Sequence, residues 1–241
     1  MEKTALRRLQ LVELAILDEF ARRCEAHGLR YFLAYGTLIG AVRHKGFIPW
    51  DDDVDVGMPR EDYEKFILLC KKDQGGQFYL QEYRTYQKYW HIYAKFRKNN
   101  TRKIEADPPP PEPGEHRGIN IDIFPYDEVS PYEGIKKAQN FLITKLKFLL
   151  FEKRGYQSKN GSFITASAKK GLAKLAPFCF LHAFSHALMT LALGKCTEMV
   201  SWGGTDGYKK ETFSKEVFFP LKKMEFEGRE FAVPRDARRY L

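Results

Sequence analysis

Four aspartates fall within five positions, Asp51, Asp52, Asp53 and Asp55. Carboxylates placed so closely repel one another unless cations neutralise them. Residues 53–56 (DVDV) alternate polar and apolar side chains, which predicts a strand with both aspartates on one face, roughly 6.6 Å apart at about 3.3 Å per residue. Two carboxylates at this spacing can bind one Mg²⁺ ion together with phosphate oxygens.

A stretch of small residues precedes these acids. Residues 30–34 (RYFLA) predict a short buried strand, Gly36 and Thr37 a turn, and residues 38–42 the beginning of a helix. Backbone N–H groups at a helix start, with the Thr37 hydroxyl, can bind a phosphate. Pro49 excludes a continuous helix and returns the chain to an extended form. A phosphate-binding turn followed by a D-x-D strand is typical of metal-assisted phosphoryl transfer.

Two other interpretations apply to the acidic segment. A D-x-D pair also occurs on ordinary surface strands. A calcium-binding loop would use Asp51, Asp53 and Asp55 as its first ligands, but Val56 stands where that loop requires glycine and Asp62 where it requires glutamate. The calcium loop is therefore rejected.

A basic cluster, Arg43, His44 and Lys45, stands between the small-residue turn and the acids. These cations can offset the charge of a bound nucleotide diphosphate, and an arginine can bind phosphate through two N–H groups. A solvated basic turn is the alternative, and nothing in the sequence orients His44 as a general base. The predicted substrate-binding residues are Gly36, Thr37, Arg43, His44, Lys45 and Trp50.

A third acid lies on a later strand. Residues 118–124 (GINIDIF) predict a strand with Ile119, Ile121 and Ile123 on one face and Asp122 on the other. A carboxylate in so apolar a strand must be paired or bind a cation. Asp122 is therefore a candidate metal ligand beside the D-x-D pair.

Two strings carry a family resemblance. The string YGTLIGAVRHKGFIPWDDDVDVGMPREDYEKF (residues 35–66), with GINIDIFPYD (residues 118–127), resembles the LicD family, which includes bacterial phosphocholine transferases and is related to fukutin and fukutin-related protein. The close match covers about residues 30–68 and 117–127. LicD-like chains usually continue with a YG-containing segment past Leu241, so any site residue carried there is missing from this prediction.

The resemblance assigns roles by position. The family belongs to the nucleotidyltransferase-fold superfamily, whose pattern is a small-residue turn, an acidic doublet on a strand and a third acid on a later strand. It makes Gly36 and Thr37 the turn, with Thr37 in place of the commoner Gly or Ser. It makes Asp53 and Asp55 the doublet and Asp122 the third acid, so that all three are expected to be catalytic and to bind metal.

The expected fold is α+β, with a nucleotidyltransferase-like mixed sheet, packed helices and a mainly helical C-terminal half. Residues 1–128 are expected to form the catalytic core. Residues 129–241 are expected to form a helical region with a C-terminal β-hairpin, packed on the core as one globular unit. The main predicted segments are helices over 5–24 and 60–72, strands over 78–83 and 91–96, and the hairpin over 224–233.

Composition limits the partners and the compartment. The 241 residues carry a net charge of +9, which favours an anionic partner, and 44% hydrophobic residues predict a globular chain. No basic arm or base-reading motif is present, so nucleic acid is not expected. The four cysteines show neither a C-x-x-C pair nor zinc spacing, and the N-terminus lacks a secretory profile. A cytoplasmic protein, with peripheral contact to the inner face of the membrane as an option, is expected.

Residues 175–194 contain no Asp, Glu, Lys or Arg. This stretch is long enough to cross a bilayer, but Pro177 and several polar residues oppose a span. A buried helix is the first interpretation, and an interfacial helix edged by Lys169, Lys170 and Lys174 is the second. A membrane span is the third.

Three further features have weaker functional interpretations. His182 and His186 have the spacing of a zinc helix, but Ala183 stands where H-E-x-x-H needs glutamate, so packed or exposed histidines are expected. The segments 107–115 (DPPPPEPGE) and 201–208 (SWGGTDGY) predict loops that either close over the cleft or merely connect elements.

The resemblance implies a reaction. Mg²⁺ or Mn²⁺ held by Asp53, Asp55 and Asp122 would bind the diphosphate of a CDP-alcohol, with CDP-choline favoured and CDP-ribitol or CDP-glycerol left open. A hydroxyl of a glycan, a lipid-linked saccharide or a teichoic-acid-like polymer would attack, and CMP would leave. The alternatives are nucleotidyl transfer, a D-x-D glycosyltransferase and a non-enzymatic module that binds membrane surfaces.

Overall fold

The computed structural model describes residues 3–72, 76–104, 112–155, 176–192, 194, 196–204 and 207–241. The helices are α1 (Lys3–Ala26), α2 (Tyr35–His44), α3 (Arg60–Lys72), α4 (Glu133–Lys153), α5 (Phe178–Met189), α6 (Tyr208–Glu211), α7 (Lys215–Phe218) and α8 (Ala237–Tyr240). The strands are β1 (Phe32–Leu33), β2 (Asp55–Pro59), β3 (Phe78–Gln81), β4 (Ala94–Lys98), β5 (Asn120–Val129), β6 (Glu198–Ser201), β7 (Thr212–Ser214), β8 (Lys222–Phe226) and β9 (Arg229–Val233).

Strand β5 is the centre of a mixed seven-stranded sheet. One edge of β5 pairs in parallel with β2, and β2 pairs with β1. The first half of β5 also pairs antiparallel with β4, which pairs with β3, while its second half pairs antiparallel with β6, which pairs with β7. Strands β8 and β9 form a separate two-stranded sheet. The α+β class predicted from the sequence is confirmed.

Apolar periodicity placed several elements correctly. Helix α3 has the predicted bounds, and its inward residues Tyr63, Phe66 and Ile67 are buried. Helix α1 extends the predicted helix by two residues at each end. The turn between β8 and β9 contains Glu227 and Gly228, both with positive φ, as a tight hairpin turn requires.

Two boundaries differ from the prediction at the site itself. Helix α2 begins at Tyr35, so Gly36 and Thr37 lie in its first turn and not in a turn before it. Strand β2 begins at Asp55, so Asp53 lies just outside the strand. The alternation was nevertheless correct, since Val54 and Val56 are fully buried.

The main hydrophobic core joins both ends of the chain to the sheet. It includes Phe20 of α1, Phe32 of β1 and Ile123 of β5, together with Phe226 of β8 and Tyr240 of α8. The C-terminal elements from β6 onward therefore pack on the same sheet as α1. The division at residue 128 stays a prediction.

The helical region forms a second, smaller core. Ile143 and Leu150 of α4 pack with Leu181 and Met189 of α5. Helix α5 is only partly buried, because Phe180 is 60% exposed. In the parts of the chain that the structure describes, no helix has the length and apolar character needed to cross a bilayer.

The two histidines of α5 are both in contact with neighbouring elements. His182 Nε2 lies 2.7 Å from the Tyr89 carbonyl oxygen, and the imidazole stacks on Tyr83. His186 Nε2 lies 3.1 Å from Glu64 Oε1. The predicted interfacial lysines, residues 107–111 of the proline-rich loop, and residues 205–206 of the glycine-rich loop lie outside the described residues.

Candidate active site

Parallel pairing of β2 and β5 places two of the predicted acids side by side. Asp55 and Asp122 are register partners, and the Asp122 N–H donates to the Val54 carbonyl at 2.8 Å. Neighbouring strands lie about 4.8 Å apart, so these two side chains leave the sheet at adjacent points. Asp53 lies two residues before Asp55 and also interacts electrostatically with Asp122. The three acids predicted from separate parts of the sequence come together.

The first turn of α2 supports the acidic segment. The Asp55 N–H donates to the buried Thr37 hydroxyl oxygen at 2.9 Å, which fixes the start of β2 against α2. A Cβ at Gly36 would lie 2.9 Å from Asp51 Oδ2, so glycine allows the helix start to approach that carboxylate closely. The first N–H groups of a helix have no partner within it and are suited to bind an anion here.

The carboxylates strongly perturb one another. Burial, and then the charges of Asp122 and Asp53, raise the pKa of Asp55 well above its ordinary value. The surrounding protein and the charge of Asp122 also raise the pKa of Asp53, although that residue keeps a solvent-exposed surface. Burial and the charge of Asp53 raise the pKa of Asp51 to about 6. The cluster therefore carries more negative charge than its surroundings balance.

Sequence reasoning missed the partners of Asp122. Lys95 Nζ donates to both carboxylate oxygens, at 2.7 and 2.8 Å, and Asn120 Nδ2 donates to Oδ1 at 2.6 Å. Lys95 is the register partner of Asp122 on β4. One signal was available in the sequence. Lys95 lies between the apolar residues Ala94 and Phe96, so it interrupts an otherwise apolar strand segment.

A second missed group lies behind the acidic loop. Glu13 of α1 is fully buried, and burial raises its pKa to about 8 despite the nearby Lys103 ammonium. Lys103 Nζ lies 3.2 Å from Glu13 Oε1 and donates to the Asp52 carbonyl at 2.5 Å. Gln10 Nε2 donates to the Asp51 carbonyl at 3.0 Å. These side chains fix the loop that presents the acids.

The predicted basic cluster lies away from the acids. Arg43, His44 and Lys45 are exposed at the C-terminal end of α2, and Lys45 pairs with Glu225 at 3.3 Å. Nine helical residues at about 1.5 Å each separate Lys45 from Gly36 by roughly 13 Å. A role for these three side chains in substrate binding stays a prediction.

Trp50 directly precedes the acidic segment. Its side chain is 78% exposed, so the indole ring is open to solvent. The predicted contribution of Trp50 to substrate binding stays a prediction.

The residues present fit a divalent cation. Among the described residues, no three His, Cys, Asp or Glu side chains are already close enough together to ligate one ion. Asp53 and Asp55 nevertheless supply hard oxygen donors in a place where burial, and then repulsion from neighbouring carboxylates, raises their pKa values. A cation would relieve that repulsion. Asp122 can contribute a third oxygen once one of its oxygens turns from Lys95.

Comparison with known proteins identifies the family of this chain. Residues 28–155 match the family described as LicD/FKTN/FKRP, nucleotidyltransferase domain. The chain is 32% identical to the lipopolysaccharide cholinephosphotransferase LicD of Haemophilus influenzae, over 97% of this chain and 87% of that protein.

A shorter similarity extends to animal proteins. Over 53 residues the chain is 58% identical to the ribitol 5-phosphate transferase FKRP of Homo sapiens and of Mus musculus, which covers 22% of this chain and 10% of each of those proteins. The family match covers more than half of the chain, and the bacterial similarity nearly all of it. The chain therefore belongs to the LicD family and is a LicD-type phosphotransferase.

Proposed function

We propose that this enzyme transfers phosphocholine from CDP-choline to a hydroxyl group of a cell-surface glycan or its precursor and releases CMP. The observation that carries the proposal is the convergence of Asp53, Asp55 and Asp122, in a chain similar over almost its whole length to a lipopolysaccharide cholinephosphotransferase. The proposed cofactor is Mg²⁺ or Mn²⁺.

The proposed reaction is a single displacement at phosphorus. The acceptor oxygen forms a bond to the phosphorus that bears choline, and the bond from that phosphorus to the bridging oxygen of CMP breaks. The hydroxyl proton passes to a base or to water, and CMP leaves with the bridging oxygen. The products are CMP and a glycan phosphodiester, so atoms and charge balance.

The protein's own groups bind and orient the diphosphate. The first-turn N–H groups of α2 and the Thr37 hydroxyl proton can donate to phosphate oxygens beside Asp55. Lys95 holds Asp122 in place through two hydrogen bonds. Asp53, Asp55 and Asp122 would hold the divalent cation, which when bound neutralises charge on the diphosphate. Asp122 is the proposed proton acceptor, in competition with its contacts to Lys95.

A panel of donors tests the proposed transfer. Purified protein is incubated with CDP-choline, CDP-ribitol or CDP-glycerol, with Mg²⁺, Mn²⁺ or EDTA, and with or without candidate acceptors. We expect acceptor-dependent release of CMP from CDP-choline that EDTA abolishes. Asp53→Asn is the matched inactive control.

The products separate the competing activities. Nucleotidyl transfer would leave CMP on the acceptor and release phosphocholine, and a glycosyltransferase would release a nucleoside diphosphate from a sugar nucleotide. CMP release from CDP-ribitol alone would favour the second candidate, ribitol-phosphate transfer, which the local similarity to FKRP supports. Failure to release CMP from any CDP-alcohol would exclude the proposed reaction.

The proposed site of action is the cytoplasm, with peripheral contact at the inner membrane surface. Phe141, Phe180 and Phe184 are exposed on α4 and α5, and Lys145 Nζ lies 5.2 Å from the centre of the Phe141 ring. Exposed aromatics beside lysines suit an anionic lipid surface. Co-sedimentation with vesicles that contain phosphatidylserine tests this contact, with pure phosphatidylcholine vesicles as the control.

A further inference from the structure

A cavity of about 560 Å³ lies beside the first turn of α2. Tyr35 and Gly36 of that helix line it, as do the C-terminal elements through Glu211, Phe213 and Tyr240. These elements are far apart in the sequence and meet only in the folded chain. The proposed displacement at phosphorus assigns no ligand group to this cavity.

Three aromatic rings meet at the cavity. The Phe213 and Tyr240 rings stack with centroids 5.0 Å apart, and the Tyr35 ring lies 6.5 Å from that of Tyr240. Hydrogen bonds fix two of the rings. The Tyr240 hydroxyl lies 2.5 Å from the Tyr126 hydroxyl, and the Tyr35 hydroxyl donates to Glu211 Oε2 at 2.7 Å. The aromatic surfaces are therefore already positioned for a ligand.

A buried carboxylate accompanies these rings. Glu211 is 5% exposed, and its carboxylate accepts the hydrogen bond from Tyr35. The backbone of Gly204 passes so close that a Cβ there would collide with this carboxylate. Backbone and aromatic surface adjoin the Glu211 carboxylate, and the Lys147 ammonium, which donates to the Gly204 carbonyl oxygen at 3.2 Å, also interacts with its charge. Aromatic faces together with negative charge attract a quaternary ammonium group, which cannot donate hydrogen bonds.

The cavity adjoins the acid cluster. Gly36 lines it and also approaches Asp51 Oδ2. Burial, then the charge of Glu211 and last that of Asp55, raise the pKa of the Tyr240 hydroxyl, so the field of the acid cluster reaches this ring. A donor whose phosphorus lies at the carboxylates would therefore direct its alcohol group toward the rings.

The exposed side of the cavity has the opposite charge. Lys210 and Arg239 are both exposed and line it. Cations at the exposed side with a buried carboxylate among rings match a zwitterion, an anionic phosphate joined to a cationic head. A polyol such as ribitol would bring several hydroxyl groups against aromatic carbon, and each hydroxyl left without a partner costs binding free energy.

We propose that Tyr35, Glu211, Phe213 and Tyr240 bind the trimethylammonium group of the donor, and that this cavity selects phosphocholine over phospho-polyols. The inference rests on the proposed transfer and extends it to donor specificity. The ligand class is an alcohol that carries a quaternary ammonium group.

The first experiment measures binding without turnover. Saturation-transfer NMR on the full chain with CDP-choline, without acceptor, reports which ligand protons contact the protein. We expect strong transfer to the N-methyl protons and about tenfold weaker binding of CDP-choline in Glu211→Gln and in Phe213→Leu. Unchanged binding in both variants, confirmed as folded by circular dichroism, would overturn the proposal.

The second experiment measures specificity. The ratio of kcat/KM for CDP-choline to that for CDP-ribitol should fall about tenfold or more in Glu211→Gln and Phe213→Leu. Lys210→Met is the matched control, because a phosphate-facing cation should affect all CDP-alcohols equally and leave the ratio unchanged. A ratio that the first two variants do not alter, or a wild-type preference for CDP-ribitol, would also overturn the proposal.

The proposed transfer and the proposed role of the cavity predict different negative results. If CDP-choline releases CMP normally but the cavity variants behave as wild type, the transfer stands and the cavity proposal falls. If CDP-choline binds with N-methyl contact but CMP release never occurs, the proposed function falls and the binding site stands.

Discussion

The two ends of the parallel pair β2 and β5 treat carboxylates in opposite ways. At one end Asp55 faces Asp122, with Asp53 beside them, and burial, followed by the neighbouring carboxylate charges, raises the pKa values of Asp53 and Asp55. At the other end Asp127 receives two hydrogen bonds from Arg60, at 2.7 and 2.8 Å, with both side chains buried.

The difference distinguishes carboxylates that can bind a ligand from a carboxylate that stabilises the fold. The buried pair Arg60–Asp127 is complete without a ligand, because each charge has its partner and each oxygen its hydrogen bond. Among the described residues, neither Asp53 nor Asp55 forms an ion pair. Their excess negative charge therefore favours a cation from outside the chain. Carboxylates of the same type stabilise the fold at one end and, in the proposed reaction, bind the cation at the other.

The largest effect should follow neutralisation of the unpaired end. Asp55→Asn is expected to lower kcat about a thousandfold or more, since charge stabilisation of several kcal/mol is lost at roughly 1.4 kcal/mol per tenfold. The free energy of unfolding without divalent cation should stay the same or rise, because repulsion with Asp122 is relieved. CMP release and urea denaturation measure the two quantities.

Asp52→Asn is the matched control for that experiment. Asp52 is an exposed neighbour in the same acidic run, and it lies outside the β2–β5 pairing that brings Asp55 beside Asp122. Its activity should stay within a few fold of wild type. If Asp55→Asn destabilised the fold as strongly as it lowered kcat, the contrast between the two ends would be wrong.

Disruption of the paired end should act on stability instead. Asp127→Asn is expected to lower the free energy of unfolding by about 3–5 kcal/mol, because Arg60 would stay buried without its counter-charge. Urea denaturation measures this change. The fraction that stays folded should transfer phosphocholine at close to the wild-type kcat. A loss of kcat at unchanged stability would show that Asp127 acts in catalysis, and the proposed difference between the two ends of the β2–β5 pair would be wrong.

Glu13 should make stability depend on pH. Its folded pKa of about 8 lies above its ordinary value of 4.5, so between these values the unfolded chain has lost a proton that the folded chain keeps. Stability from this group is therefore lost as pH rises through that window, by a few kcal/mol at about 1.4 kcal/mol per pH unit. Glu13→Gln should reduce the decrease between pH 5 and pH 8.

Glu19 on the same helix is the matched control for Glu13. Hydrogen bonds from Arg22 and Arg23 lower the pKa of Glu19 to about 2, so its contribution is constant above pH 5 and is lost only in acid. Glu19→Gln should leave the slope of stability between pH 5 and pH 8 unchanged. An equal slope for wild type and Glu13→Gln would contradict the assignment.

The smallest effect concerns the hydroxyl that links α2 to the acids. Thr37→Val leaves the Asp55 N–H without an acceptor and should cost about 1–3 kcal/mol of stability. Thr37→Ser keeps the hydroxyl and should be close to neutral. Thermal unfolding compares the two variants. Equal melting temperatures for Val and Ser would show that the hydrogen bond does not stabilise the site.

Local sequence patterns predicted the helices and strands better than the helix start at the site and the contacts between strands. The bounds of α3 followed from Pro59 and apolar spacing, and the β8–β9 hairpin from alternation around Gly228. The start of α2 was placed three residues late because its N-cap residue, Ala34, has no side chain that can cap the helix. Lys95 was missed because its partner Asp122 lies 27 positions away and becomes its neighbour only through strand register.

The sequence by itself determined the family and the α+β class, and it predicted Asp53, Asp55 and Asp122 as the site, because these inferences depend on residue types within short motifs. Only the tertiary structure decided that Arg43–Lys45 lie far from the acids while Lys95, Glu13 and the aromatic cavity lie near them. The physical reason is that spacing fixes which way a side chain leaves its own element. Pairing of strands and packing of helices fix what it then meets.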